Sequence, residues 1–193
     1  MNADGLWSSL SERTRVRAFG VASLCAVAMS YWVGISGEVL RTAASPFGIV
    51  SLELAGTPEV AQHIYAAWGE TGHEAAQFNI RIDFLYLLAY GVARSIGCAV
   101  ARRWWAGRSP ALAQLGAPLT WAMLVAALSD ACENAMLWHM IHDPANALWT
   151  QLARGFAVVK FALLVAGVLY ITCGAFSRIG QRRGGRGGAS VRR

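Results

Sequence analysis

The chain has 193 residues, of which 55% are hydrophobic and only 15% charged, with eight tryptophans and a formal net charge of +6; its mean hydropathy is +0.39. That balance departs from the soluble average in the direction of a membrane protein, and the length suits one domain. A positive charge alone would fit nucleic acid, but the basic residues gather in "RTRVR" (Arg13 to Arg17), "RRWWAGR" (Arg102 to Arg108) and the tail "RIGQRRGGRGGASVRR", each flanking an apolar run. Loops of that kind face anionic lipid, which argues against a nucleic-acid partner despite the RGG-like tail.

Four apolar stretches approach the roughly 20 residues that a bilayer core requires: about 18–36, 80–101, 117–140 and 152–176. The first follows basic residues and could pass for a signal peptide with "RTAAS" as its cleavage site. Its apolar run exceeds the usual ~7 to 15 residues of such a signal, so it reads as a retained helix. The expected fold is all-α, a polytopic membrane protein with four transmembrane helices in one bundle spanning residues 1–176.

Between the first two spans, the outer loop 37–79 is too patterned for a plain connector. In "TPEVAQHIYAAWG", Thr57 suits an N-cap, Pro58 the first helical position, Glu59 the first turn and Gly69 a C-cap, which predicts a short extracytoplasmic helix. Val60, Ile64 and Trp68 share one face and should lie on the membrane surface or cap the bundle. The preceding "FGIVSLELAG" alternates only in part and reads as a short strand or an extended loop. After about Ser177 the tail 177–193 is Gly/Arg-rich and reads as disordered, basic and cytoplasmic.

Charge sets the orientation. Arg13, Arg15 and Arg17 precede the first span, Arg102, Arg103 and Arg108 separate the second and third, and six arginines follow the fourth. Both termini are therefore expected in the cytoplasm of a bacterium, with the protein in its inner membrane. The segment from Gly37 to Arg81 carries five glutamates against Arg41 and Arg81 and falls on the periplasmic side.

The third span contains "LSDACENAMLW", in which Asp130, Glu133 and Asn134 at i, i+3 and i+4 share a face with Trp138. A charge at the centre of a span costs about 2.5 to 3.5 kcal/mol on insertion scales, so that face must meet protein or water. The second span sets Asp83, Tyr86, Tyr90 and Arg94 in one stripe, and the fourth carries Arg154 and Lys160. Asp83, Asp130, Glu133, Asn134, Arg154 and Lys160 are all expected in the outer half of the bilayer, with Arg94 deeper. They would form a pocket for a ligand or proton, or else a closed network of ion pairs. Within a pocket, Asp130 and Glu133 would accept protons or ligand, Lys160 would set their charge, and Tyr86 and Tyr90 would supply hydroxyls and walls. Lys160 is expected to pair with Asp130 first and with Asp83 second.

Other chemistry finds little support. His139, His142 and Asp143 in "WHMIHD", with His63 and His73 in the outer loop, lack a further ligand at fixed spacing, so no metal is expected. No G-x-S-x-G, P-loop, H-E-x-x-H or GxGxxG occurs, and no cofactor is expected. Cys25, Cys98, Cys132 and Cys173 fall in four different apolar segments and read as small buried residues.

Taken together, "SLELAGTPEVAQHIYAAWG", "IDFLYLLAYG" and "LSDACENAMLW" resemble a group of small four-helix bacterial inner-membrane proteins of unassigned activity, over roughly residues 45 to 165. The resemblance implies an inner-membrane location and nothing about mechanism. Three functions follow from the residues: a protein that binds or carries a small molecule or lipid, a membrane-embedded enzyme using its carboxylates as general acid and base, and an accessory subunit of a membrane complex. Four helices are few for a carrier, so a carrier would be a homo-oligomer.

Overall fold

The computed structural model describes residues 6–188. Helix α1, Glu12–Ser36, starts where the Ser11 hydroxyl accepts the Thr14 backbone N–H at 3.1 Å and Glu12 meets the positive end of the helix dipole. It stops at Gly37, after which a 3₁₀ turn, Glu38–Leu40, leads towards a five-residue helix α2, Ile49–Glu53. The stretch expected to be strand or extended loop is thus partly helical, and no strand occurs among the described residues.

Helix α3, Pro58–Ala106, begins with the Thr57 hydroxyl accepting the Val60 N–H at 3.5 Å and with Pro58 in the first turn. Gly69, at φ 61° and ψ −166°, breaks it into a limb of residues 58–68 and a long limb of residues 70–106. That backbone region is open essentially to glycine alone. The expected short outer helix is therefore the first limb of α3, and its buried face is turned away from Val60, which is exposed, towards Ala61, Ile64, Tyr65 and Trp68. The Trp68 indole N–H donates to the Leu40 carbonyl at 2.8 Å and to Ser45 Oγ at 2.9 Å, which fastens this limb to the loop after α1.

A short helix α4, Pro110–Gln114, is capped by Ser109, whose hydroxyl accepts the Leu112 N–H at 3.3 Å. It turns the chain into α5, Gly116–His142. Helix α6, Ala147–Gly188, starts after Asn146, whose side-chain oxygen accepts the Leu148 N–H at 3.1 Å. Its helical backbone passes Ser177, where the composition turns basic and Gly-rich, and continues to Gly188. Five of the nine residues from 180 to 188 are glycine, which disfavours helix, so intrinsic propensity does not account for this continuation. Residues 189–193 of the expected disordered tail lie outside the described residues.

The long limb of α3 is the centre of the bundle and packs against α1, α5 and α6, while α5 also packs along α6. Apolar layers fill the two ends. One combines Leu40, Leu52, Ile64, Trp68, Leu137 and Met140 beneath the loop after α1; the other combines Cys98, Ala101, Trp105, Met123 and Tyr170. Near the middle, a Cβ on Gly91 would lie 2.8 Å from that of Ala127, so α3 and α5 cross closely only because residue 91 has no side chain.

The outside of the bundle is as apolar as its inside. Leu24, Val27, Tyr31 and Trp32 on α1, Val125 and Leu128 on α5, and Val165, Leu169 and Phe176 on α6 are all exposed, with Leu24 at 73% and Phe176 at 74%. Water-facing surfaces rarely carry apolar patches this continuous. Helices α1, α3 and α6 are each long and apolar enough to cross a membrane. Helix α5 has the length, at 27 residues, but Asp130, Glu133 and Asn134 dilute its hydropathy.

Candidate functional site

The inward stripe of α6 reads Ala153, Ala157, Lys160, at i, i+4 and i+7. The two alanines let α6 approach α5 closely, and the Ser129 hydroxyl closes the crossing by donating to the Phe156 carbonyl at 2.9 Å. Lys160, the next residue on that stripe, is held inside at 6% exposure. Its ammonium lies 2.9 Å from Asp130 Oδ1, 2.8 Å from Glu133 Oε2 and 3.2 Å from Glu53 Oε2, so carboxyl groups from α5 and α2 surround a cation from α6. It donates hydrogen bonds to Asp130 and to Glu53. Glu133, wholly buried, meets the ammonium at an angle outside hydrogen-bond geometry, and neither of its oxygens accepts a hydrogen bond among the described residues.

Around this centre a second ring of contacts fixes the geometry. The Tyr90 hydroxyl donates to Asp130 Oδ2 at 2.6 Å, leaving that carboxylate with a partner on each oxygen. Asn134 Nδ2 donates to Asp83 Oδ2 at 2.7 Å, so Asp83 is held by α5 and not by Lys160. Tyr86 packs edge-on against Tyr90, and the Arg94 guanidinium lies 4.8 Å from the centre of the Tyr90 ring. Asn79 ties α1 to α3 by donating to the Val33 carbonyl at 2.9 Å and to Ser36 Oγ at 3.0 Å.

These groups line a cavity of about 310 Å³. Its polar walls are Glu53, Asn79, Asp83, Tyr86, Tyr90, Arg94, Asp130 and Lys160, and its apolar walls come from α1, α2, α3 and α6. Of the residues singled out in the sequence, Asp83, Tyr86, Tyr90, Asp130 and Lys160 reach this cavity, while Glu133 and Asn134 stand behind them in contact with Lys160 and Asp83. Arg154 does not come near. It is exposed six residues, about one and two-thirds turns, before Lys160 and lies over Gly56.

Glu53 and Asn79 were not among the residues the sequence marked, and Arg94 was placed deeper than the site. Glu53 left a trace in the sequence, as a lone carboxylate between Leu52 and Leu54 in an otherwise apolar outer segment. An acid so placed needs a partner, and the structure gives it Lys160 at 3.2 Å.

The histidines are engaged elsewhere. His139 stacks on Trp149 with centroids 4.5 Å apart, His142 Nδ1 is 2.9 Å from the Trp138 carbonyl, and His73 Nε2 is 3.1 Å from the Tyr65 carbonyl. Among the described residues no group of three or more histidine, cysteine or acidic side chains is disposed to hold a metal. The four cysteines are free; Cys98 is buried, Cys132 half-buried, and Cys25 and Cys173 exposed.

No family model, no curated protein and no solved structure matches this chain.

Proposed function

We propose that the chain is an integral protein of a bacterial inner membrane, with α1, α3, α5 and α6 as four transmembrane helices, both termini cytoplasmic, and an outward-facing intramembrane pocket that binds or carries a small molecule or lipid. Treating α5 as the fourth span rests on where its polar groups point. Asp130, Glu133 and Asn134 are buried against α3 and α6, while Trp121, Val125 and Leu128 form its outer face. The basic residues flanking α1, α3 and α6 support the orientation.

The observation that carries the reading is the coordination of Lys160 by Glu53, Asp130 and Glu133 at the wall of a cavity. A buried ion pair that served only to hold helices together would need one carboxylate per ammonium, and apolar replacements would serve as well. Three carboxyl groups around one ammonium, with Asp83 beside them, leave the cluster able to accept further positive charge, as protons or as a cationic group on a ligand. A volume near 310 Å³ is of the size that holds small molecules or one end of a lipid. Arg94, also in the wall, suits a ligand that carries a negative group as well.

A second reading draws on one further contact. Tyr90, Asp130 and Lys160 form a continuous hydrogen-bonded chain, 2.6 Å and 2.9 Å long in its two links, that could pass a proton to a bound lipophilic substrate as general acid and base.

Solvent extraction of the protein purified in native nanodiscs, followed by mass spectrometry, tests the binding reading. A molecule present in about equimolar amount with the wild type should be lost from Val33→Trp, which projects an indole into the cavity, and from Asp83→Asn, which removes a charge from its wall. Equal recovery from both well-folded variants would reject the pocket as the binding site.

A further inference from the structure

At the opposite end of the bundle from the Lys160 cluster, a separate cavity of about 340 Å³ opens between the start of α1, the end of α3 and the beginning of α5. Three arginines line it: Arg15 from α1, and Arg102 and Arg103 from α3. Arg15 is 8% exposed and forms no ion pair or hydrogen bond through its guanidinium among the described residues. Arg103 faces it closely enough to repel it, and the one nearby acid among the described residues, Glu12, is taken up by Arg103 at 2.6 Å across an exposed ion pair. Ser8 and Gln114 add neutral hydrogen-bonding groups to the wall.

Burying a guanidinium beside a second one, with no anion against it, is costly, and charges so arranged persist where something else neutralises them. Guanidinium groups converging from two helices match the tetrahedral oxygens of a phosphate, which accept several forked N–H donors at once. Depth supports the same chemistry. The basic run Arg102 to Arg108 ends α3 at this side of the bundle, and basic runs flanking an apolar span lie at the level of lipid phosphates.

We infer that this cavity is a phosphate-binding site, with Arg15 as its buried anchor and Arg102 and Arg103 as its rim, taking either the head group of an anionic phospholipid or a soluble phosphate compound. The site is distinct from the Lys160 pocket and stands or falls without it.

The test uses the full chain, delipidated in a neutral detergent, with thermal melting and native mass spectrometry as readouts. The probes are phosphatidylglycerol, phosphatidylcholine and inorganic phosphate. Saturable stabilisation by phosphatidylglycerol above that given by phosphatidylcholine assigns the site to a lipid head group; stabilisation by inorganic phosphate as well assigns it to a soluble phosphate compound. In either case Arg15→Gln and Arg102→Gln should each weaken binding about tenfold or more, while Arg154→Gln, on an exposed basic residue elsewhere, should leave it unchanged. Ala117→Trp retains every arginine and fills the cavity, so it should also abolish binding. If Arg15→Gln does not fold, Arg102→Gln and Ala117→Trp decide the matter. The proposal is overturned if no probe stabilises the wild type, or if any folded member of these three cavity variants binds as tightly as the wild type.

Discussion

Replacing Lys160 by methionine keeps most of the side-chain volume and removes the only cation among the described residues within 4 Å of Glu53, Asp130 and Glu133. All four groups are less than a tenth exposed, so water cannot take over the ammonium's role. Removing one member of a buried pair typically costs ~3 to 5 kcal/mol, and three stranded carboxyl groups put Lys160→Met at the upper end of that range. For a chain of this length each kcal/mol moves the melting temperature by about 2 to 4 °C, so a fall of roughly 10 to 20 °C is expected in a fixed detergent.

The second substitution that best restores stability is then a structural question. Asp130 keeps the Tyr90 hydroxyl when Lys160 is lost, whereas Glu133 is left, among the described residues, with the Glu53 carboxyl alone and no donor from another side chain. Lys160→Met with Glu133→Gln should therefore recover more than Lys160→Met with Asp130→Asn. Asp83→Asn, at a carboxylate that forms no ion pair with the ammonium and is held by Asn134, should recover little. Melts of the single and double variants form a double-mutant cycle. Strictly additive losses for Glu133 and Asp130 would mean that Lys160 neutralises neither and would refute the shared cluster.

Three other outcomes follow from the same geometry. Tyr90→Phe deletes a buried hydrogen bond to a carboxylate and should cost about 1.5 to 3 kcal/mol in a denaturation series, with Asp83→Asn as the comparison. Gly69→Ala forces a side chain into the φ 61°, ψ −166° backbone and should cost on the order of 1 to 3 kcal/mol, seen as earlier proteolysis of the outer loop. Reporters fused after Arg193 and within the Trp104 to Pro110 connection should be active only as cytoplasmic fusions, and one inserted near Glu70 only as a periplasmic fusion; a reversed pattern would invert the orientation proposed for both cavities.

How far the sequence could be read depended on whether the signal was local. Helix positions follow from apolar length and caps, so each expected span falls inside one observed helix, and Thr57 with Pro58 marks the start of α3. The facing of Asp130, Glu133 and Asn134 follows from a 3.6-residue period and the cost of exposing charge to lipid. Arg154 shows where that logic stops. It sits six residues before Lys160, about 600° around the helix, so the two point to different faces even though both are cations in the same half of the span. Treating depth as sufficient placed it in the site; the helical phase removes it.

Glu53 shows the opposite failure, a residue whose role depends on tertiary structure alone. Nothing in a period or a cap says that the loop after α1 folds back over the bundle far enough to insert a carboxylate between α5 and α6. What brings it there is the packing of Leu40 and Leu52 under Trp68, whose indole N–H reaches back to the Leu40 carbonyl. The same contacts place α2 as the roof of the cavity, so Lys160 is coupled to the outer loop through Glu53. A proton taken up by Glu53, or an anionic group that draws the ammonium away, would break that ion pair. That ion pair of 3.2 Å is the longest of the three around Lys160 and the only one of them that reaches outside the long helices.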